Sequence, residues 1–172
     1  TILKTVGNTR YMYYIDYNDW ETVKRIAVDS AVWTPETVTD SSGTPLRDIT
    51  HFGIVDGYML YCYQANAVRC AKLDATGRIA TPHIDAFDVE YGLNGMLSDD
   101  TSNCFYFIEA EDDGGNINTV YRVSMEEADY VQYDKIMSGN RVRNIAIIDG
   151  KLYGVVGTGE NAIYDHIPSI TE

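Results

Sequence analysis

Apolar and polar residues alternate with a period of two along most of the chain, and short turn signals interrupt the alternation. This pattern is typical of β-strands that bury one face. After residue 48 it predicts four strands in succession, which are Ile49 to Val55, Tyr58 to Tyr63, Val68 to Leu73 and Arg78 to about Ile84. Asp56-Gly57, between the first two of these strands, is a hairpin turn signal.

The same order of strands recurs along the chain. Tyr11-Met12-Tyr13-Tyr14 is followed 47 positions later by Tyr58-Met59-Leu60-Tyr61, and Thr34-Pro35 is followed at the same offset by Thr81-Pro82. Self-similarity with a period of roughly 20 to 50 residues indicates stacked structural repeats. We therefore expect a single repeat domain over residues 1–172, with units at about 1–47, 48–92, 93–142 and 143–172.

Strands are predicted in the other units as well. They are Ile2 to Val6, Tyr11 to Tyr17, Trp20 to Val28 and Ala31 to Val38, then Cys104 to Ile108, Asn118 to Val123 and Asp129 to Ile136, and finally Asn144 to Ile148, Leu152 to Val156 and Ala162 to Ile167. Ser124 to Ala128 has a serine cap and early glutamates, so at most one helical turn is expected there.

Four-stranded units of about 40 to 50 residues, arranged radially, are the blades of a β-propeller. The sequence therefore predicts an all-β, β-propeller-like fold with about four four-stranded antiparallel blades of about 47 residues, the last of them incomplete. Either the first and last blades complete each other, or the chain is a piece of a larger propeller. A solenoid of stacked sheets is the structural alternative.

The blade residues also resemble a known family. Tyr13-Tyr14-Ile15-Asp16, followed by Val23-Lys24-Arg25-Ile26, resembles the YWTD repeat of low-density-lipoprotein-receptor propellers. Asp56-Gly57-Tyr58-Met59-Leu60-Tyr61 and Asp149-Gly150-Lys151-Leu152-Tyr153 are similar to the blades of bacterial receptor-like propeller domains. The resemblance implies a non-enzymatic, usually extracellular propeller that binds proteins or has a structural role.

Charge and composition limit the classes of molecule that this chain is expected to bind. The formal net charge of −13 argues against nucleic acid, because phosphate neutralisation requires clustered Lys and Arg. A glycan, a basic protein patch or a cation such as calcium suits this acidic surface better. No apolar run approaches the ~20 residues of a membrane helix, so membrane insertion is not expected. The three cysteines contain no CxxC pair, which favours buried thiols over a disulfide framework or a zinc site.

No catalytic motif stands out in the sequence. A G-x-S-x-G elbow, a P-loop, an HExxH helix and a dinucleotide fingerprint are all absent from it. His51 with Asp48 is a candidate base in a central channel, although a packed histidine is the simpler interpretation. A glycosidase needs two carboxyl groups roughly 5 to 10 Å apart, and the sequence singles out no such pair.

The acidic loop from residue 109 to residue 116 is a weak calcium candidate, and no other cofactor is expected. Glu109, Glu111 and Asp113 imitate the alternating oxygen ligands of an EF-hand loop, but Val120 stands where the closing Glu would be. The alternative is an exposed hairpin turn that is acidic for solubility.

Loops that open on one face of a propeller provide the strongest site hypothesis. They would gather aromatic rings and amides into a binding rim consisting of Tyr17, Asn18, Trp20, Tyr63, Gln64, Asn66, Asn116 and Asn161. The alternative is that these turns are merely polar and that the tyrosines belong to the blade cores.

Together these features predict a protein that is not an enzyme. We expect a non-enzymatic recognition or assembly module, extracellular or at the cell surface, that binds a protein or a glycan through this rim. It would form a homo-oligomer or part of a larger chain. The alternatives are a structural virion component, such as a phage tail protein, and a glycan-active hydrolase or lyase working in the central channel.

Overall fold

The structure is a computed structural model that describes residues 1–80, 84–89, 92–110, 118–127, 130–140, 142–156 and 163–166. Regular structure within these ranges consists of β-strands alone. The strands are β1 (Ile2–Val6), β2 (Thr9–Asp16), β3 (Thr22–Ala27), β4 (Glu36–Thr37), β5 (Thr39–Asp40), β6 (Ile49–Val55), β7 (Tyr58–Tyr63), β8 (Ala67–Lys72), β9 (Arg78–Ile79), β10 (Ile84–Asp88), β11 (Leu93–Asp99), β12 (Cys104–Ala110), β13 (Asn118–Glu127), β14 (Tyr130–Asn140), β15 (Val142–Ile148), β16 (Lys151–Val156) and β17 (Ile163–His166).

Successive strands pair into small antiparallel sheets. The first sheet has the order β1-β2-β3-β4, the second β10-β8-β7-β6, the third β11-β12-β13-β14 and the fourth β15-β16-β17, while β5 and β9 form a two-stranded parallel pair. This confirms the predicted all-β, propeller-like fold. The chain divides into two compact units, residues 1–87 and 88–172, with two of these four sheets in each.

Hairpin turns lie where the Asp-Gly pairs predict them. Asp56 and Gly57 join β6 to β7 with φ angles of 46° and 75°, and Asp149 and Gly150 join β15 to β16 with φ angles of 49° and 73°. Two successive residues with positive φ match the right-handed twist of the strands on either side. These turns therefore set the register of both hairpins.

Each unit has its own apolar core. In the first unit, side chains of the first two sheets form one cluster, which includes Tyr13, Val23, Ile49, Met59 and Tyr61. In the second unit, a cluster forms from Ile108, Val120, Val142, Ile145 and Leu152. In β7, Met59 and Tyr61 face the first cluster, and Leu60 and Cys62 at the alternate positions are buried as well, so both faces of this strand are covered.

A buried arginine ties the first sheet to the turn before β9. Arg25 donates from Nε to Glu36 Oε2 at 2.9 Å and from Nη1 to the carbonyl oxygen of Ala75 at 3.1 Å. Its guanidinium also lies 4.2 Å from the ring centroid of Tyr11. Burial raises the pKa of the neighbouring Tyr13, and the Arg25 charge acts in the opposite direction. The charge is thus compensated on several sides, as a buried cation requires.

Three local predictions are wrong. Arg78–Ile79 is not the start of the outer strand, because it pairs in parallel with Thr39–Asp40, and Ile84–Asp88 takes the outer place. The outer strand of the first sheet shrinks to Glu36–Thr37. Ser124–Glu127 continues β13 instead of forming a helical turn, since Ser124 pairs with Cys104 across the sheet and this pairing outweighs the local capping preference.

Nothing helical in the described part of the chain has the length and apolarity of a membrane span.

Candidate functional site

Three loop segments of the first unit are joined by backbone hydrogen bonds. The amide of Asp48 donates to the carbonyl oxygen of Trp20 at 3.0 Å, and the amide of Ile49 donates to that of Glu21 at 3.2 Å. The amide of Gln64 donates to the carbonyl oxygen of Asp48 at 2.9 Å. The loop between β2 and β3, the segment entering β6 and the turn after β7 therefore meet at one place. We call this place the Asp48 junction.

The Asp48 junction is conformationally strained. Trp20, Glu21, Asp48, Gln64 and Ala65 all have φ angles between 50° and 63°, although none of them is glycine. The left-handed region is costly for residues with a Cβ, and such residues concentrate at functional sites. The hydrogen bonds across the junction hold this conformation in place.

Two of the four carboxylates near the Asp48 junction are neutralised. Lys24 Nζ lies 2.7 Å from Asp16 Oδ2 and 2.9 Å from Asp19 Oδ2. Arg47 Nη2 lies 3.9 Å from the other oxygen of Asp19. The hydrogen bond from Lys24 and that from the Asn18 amide lower the pKa of Asp16. Asp16 and Asp19 thus act as structural anions that fix the loop.

Glu21 and Asp48 are the other two carboxylates. Both are partly buried, and within the described ranges neither side chain makes a hydrogen bond or an ion pair. The backbone hydrogen bonds put them at neighbouring positions of two crossing segments. Two carboxylate residues at neighbouring backbone positions and without a neutralising partner are candidates for a proton donor and a base or nucleophile. The sequence does not reveal this pair, because the two residues are far apart along the chain.

Most of the predicted rim residues in the first unit surround the same junction. Tyr17 and Trp20 are 70% and 73% exposed, and Asn18 beside them is exposed too. Gln64 and Asn66 are exposed in the turn after β7. Tyr63 is only partly exposed, and the Arg69 guanidinium lies 4.7 Å from its ring centroid. Asn116 and Asn161 lie outside the described residues.

The calcium candidates lie in the second unit. Glu109 is a partly buried residue of β12, opposite Leu93 on one side and Thr119 on the other. Glu111 and Asp113 lie outside the described residues, so a calcium site in that loop stays a prediction. In the part of the chain that the structure describes, no three His, Cys, Asp or Glu side chains form a group that could hold a metal.

His51 lies three residues after Asp48, on β6. Burial lowers the pKa of its ring below the usual value for histidine. Its Nδ1 atom is 3.3 Å from Thr50 Oγ1. These contacts suit a packed, neutral histidine.

A chain of hydrogen-bonded side-chain amides runs through the second unit. Asn94 Nδ2 donates to Asn118 Oδ1 at 2.7 Å, and Asn118 Nδ2 donates to the carbonyl oxygen of Val142 at 2.8 Å. The Thr119 hydroxyl next to it is buried, and the structure gives it no hydrogen-bond partner among the described residues. The amides link β11, β13 and β15 and so have a structural role.

Comparison with known proteins shows a similarity of fold. No protein-family model matches the chain. No curated protein matches it either. Among solved structures, a novel α-L-arabinofuranosidase (CtGH43) of Clostridium thermocellum ATCC 27405 is similar, with a TM-score of 0.50 and 15% sequence identity. The similarity covers 91% of this chain but only 59% of that one.

This comparison corrects two expectations. It supports the propeller-like fold but not a repeat of the low-density-lipoprotein-receptor type. The prediction of a non-enzymatic recognition or assembly module is wrong, because the similar structure is that of a glycoside hydrolase.

Proposed function

We propose that this chain is a glycan-active hydrolase whose reaction takes place at the Asp48 junction. The observation that carries the proposal is that Glu21 and Asp48 lie at neighbouring backbone positions, on strained backbone and without a neutralising partner in the described part of the chain. A glycosidase needs two such groups on either side of the glycosidic bond.

The tyrosines that resemble a receptor-type repeat do not argue against this proposal. Tyr13 and Tyr61 are buried in the core of the first unit. Aromatic side chains there fill space between sheets, so this pattern reports how blades pack. A site must be argued from its own geometry, since one fold supports many activities.

The chemistry would divide between the two carboxyl groups. One, in its protonated form, donates its proton to the glycosidic oxygen as the bond to the anomeric carbon breaks. The other either removes a proton from the attacking water or attacks the anomeric carbon itself, and water then releases the sugar. Both routes consume one water molecule and yield two free hydroxyl groups.

The fold supports a first choice of substrate. The structure that resembles this chain is named as an α-L-arabinofuranosidase. We therefore propose α-L-arabinofuranosides as the first substrates to test, followed by other aryl glycosides and neutral plant polysaccharides.

The test is hydrolysis of p-nitrophenyl α-L-arabinofuranoside and a panel of other p-nitrophenyl glycosides. Asp48→Asn and Glu21→Gln should each lower kcat/KM by about 100-fold or more, the usual contribution of a positioned acid or base. Asp56→Asn is the matched control: it makes the same change in the turn at the other end of β6, where Asn suits the positive φ of 46°. The kcat/KM of Asp56→Asn should stay within about twofold of the parent value.

Two results would contradict a glycan-active hydrolase at the Asp48 junction. The proposal would be overturned if the parent chain released no product from any glycoside of the panel. It would equally be overturned if Asp48→Asn and Glu21→Gln, shown to be folded by circular dichroism, hydrolysed as fast as Asp56→Asn.

A further inference from the structure

We infer that Trp20, together with Tyr17, forms a remote subsite that binds the polymer chain of a neutral polysaccharide next to the reacting sugar. The inference rests on the proposed function, and it makes Trp20 a determinant of specificity for polymers over small glycosides. It concerns neighbouring sugar units and not the bond that is cleaved.

Tyr17 and Trp20 expose their rings to solvent. Elsewhere in the first unit, Tyr13, Phe52 and Tyr61 are buried, and Tyr11, Tyr14, Tyr58 and Tyr63 are partly buried. Tyr17 and Trp20 lie three residues apart in one loop and are 70% and 73% exposed. Two large aromatic rings left in water within one short loop indicate a binding surface, whereas single exposed apolar residues do not.

The loop that carries the two rings is held in place by ion pairs and backbone hydrogen bonds. Lys24 bridges Asp16 and Asp19 at its two ends, and the Asp19 amide donates to the carbonyl oxygen of Asp16 at 3.1 Å. The Asp48 amide holds the carbonyl oxygen of Trp20 from the other side. A ring on a fixed backbone loses little conformational entropy when a ligand binds. The loop is therefore preorganised to present Trp20.

Trp20 also lies next to the two candidate catalytic carboxylate residues along the backbone. Trp20 directly precedes Glu21 and is hydrogen-bonded through its backbone to Asp48. A sugar resting on the Trp20 ring would thus be a neighbour of the sugar between the two carboxylates. Such a contact holds the polymer without taking part in the reaction, so its loss affects long substrates and spares short ones.

The net charge around the Asp48 junction favours a neutral ligand. The segments that form the Asp48 junction and its loop carry Asp16, Asp19, Glu21 and Asp48 against Lys24 and Arg47. The local balance is negative, and it opposes a polyanionic chain through like-charge repulsion. A neutral polysaccharide, whose C–H faces can lie on aromatic rings and whose hydroxyls can donate to carboxylates, fits this surface.

The experiment compares polymer and small substrate in four variants. Trp20→Ala and Tyr17→Ala remove the rings, Trp20→Phe keeps a ring, and Trp33→Ala is the control. Trp33 is 63% exposed in the loop between β3 and β4, which leaves the other end of the first sheet. The substrates are arabinoxylan, polygalacturonate and p-nitrophenyl α-L-arabinofuranoside.

We expect Trp20→Ala to lower kcat/KM on arabinoxylan by about tenfold, the fold-change of a contact of about 1.4 kcal/mol. Turnover of the small glycoside should change by less than about twofold. Tyr17→Ala should show a smaller loss of the same kind, Trp20→Phe should restore most of the polymer activity, and Trp33→Ala should match the parent. Polygalacturonate should not compete with arabinoxylan.

Two results would overturn the subsite. One is an equal loss on both substrates in Trp20→Ala, and the other is no loss on either. If the parent chain hydrolyses nothing, the proposed function fails, and affinity electrophoresis through gels containing arabinoxylan decides the subsite separately. Retardation of the parent and of Trp33→Ala but not of Trp20→Ala would support it, and an unretarded parent would refute it.

Discussion

A Cβ atom placed on Gly77 would lie 2.7 Å from Cζ of the buried Arg25 side chain. Gly77 has a φ angle of 81° and ends the turn that begins at Asp74. The first sheet and the β9 segment can approach each other so closely only because this position has no side chain.

Substituting Gly77 by alanine should therefore destabilise the protein. The cost combines backbone strain at positive φ with overpacking against Arg25, and we expect a loss of about 2 to 4 kcal/mol in the free energy of unfolding. Gly43 is the matched control, because its φ is 88° and an added Cβ would meet nothing within 4 Å. Gly43→Ala should cost only the strain, about 1 kcal/mol. Equal losses in urea unfolding of the two variants would contradict this account.

Replacing Arg25 by lysine should also be costly. Lysine cannot donate to Glu36 and Ala75 together while lying over the Tyr11 ring, as the arginine does. We expect a loss of about 1 to 3 kcal/mol. Glu36→Gln keeps a hydrogen-bond acceptor at a half-exposed position, so it should cost less than about 1 kcal/mol. Urea titrations of both variants measure these losses in the free energy of unfolding. A larger loss in Glu36→Gln than in Arg25→Lys would overturn the prediction.

The pair between Asp16 and Lys24 should make stability depend on pH in acid. Because the fold lowers the pKa of Asp16 below its usual 3.8, the interaction stabilises the folded state above that pH and is lost as the pH falls through the lowered value. The melting temperature of the parent should exceed that of Asp16→Asn at neutral pH, and the two should converge as the pH falls through the lowered pKa of Asp16. When both proteins also carry Lys24→Met, the ion pair is missing from each of them. The pH-dependent gap between their melting temperatures should then be absent. A gap that persists unchanged at the lowest pH would show that the pair is not its cause.

The cysteines should resist thiol reagents in the folded protein. Cys62, Cys70 and Cys104 are all buried, and burial raises the pKa of Cys70 to about 12. Since the thiolate is the reactive form, Ellman's reagent should react slowly with the native chain and rapidly with all three thiols in denaturant. Cys70 pairs with Leu60 and Cys62 with Val68, so the two thiols are not directly opposite across the hairpin. Rapid native reaction would contradict the burial.

Hairpins are the part of this fold that the sequence predicts best. The predicted bounds of Ile49–Val55 and Tyr58–Tyr63 agree with those of β6 and β7, and the Asp56-Gly57 turn lies between them. Such elements depend on alternation and on turn residues within about a dozen positions. Outer strands are predicted less well, since β9 pairs with β5, a segment that follows the first sheet and lies far from β9 along the chain.

The candidate site could be predicted only in part. Trp20 and Gln64 were expected on one face because loops of successive blades open together, and the structure joins both to Asp48. Glu21 was missed. It belongs to a run of non-glycine residues with positive φ, and side chains of this kind give no sequence signal for that conformation.

The amino-acid sequence by itself determined that this chain is an all-β repeat protein, because period-two alternation and turn chemistry act between neighbours. Tertiary structure decided that Glu21 and Asp48, 27 positions apart, lie on segments joined by backbone hydrogen bonds, and that Lys24 neutralises two other carboxylates instead of these. The physical reason is that a site of this kind depends on how one sheet is joined to the next. That geometry comes from the packing of the core and from a few hydrogen bonds between loops, which no local pattern encodes.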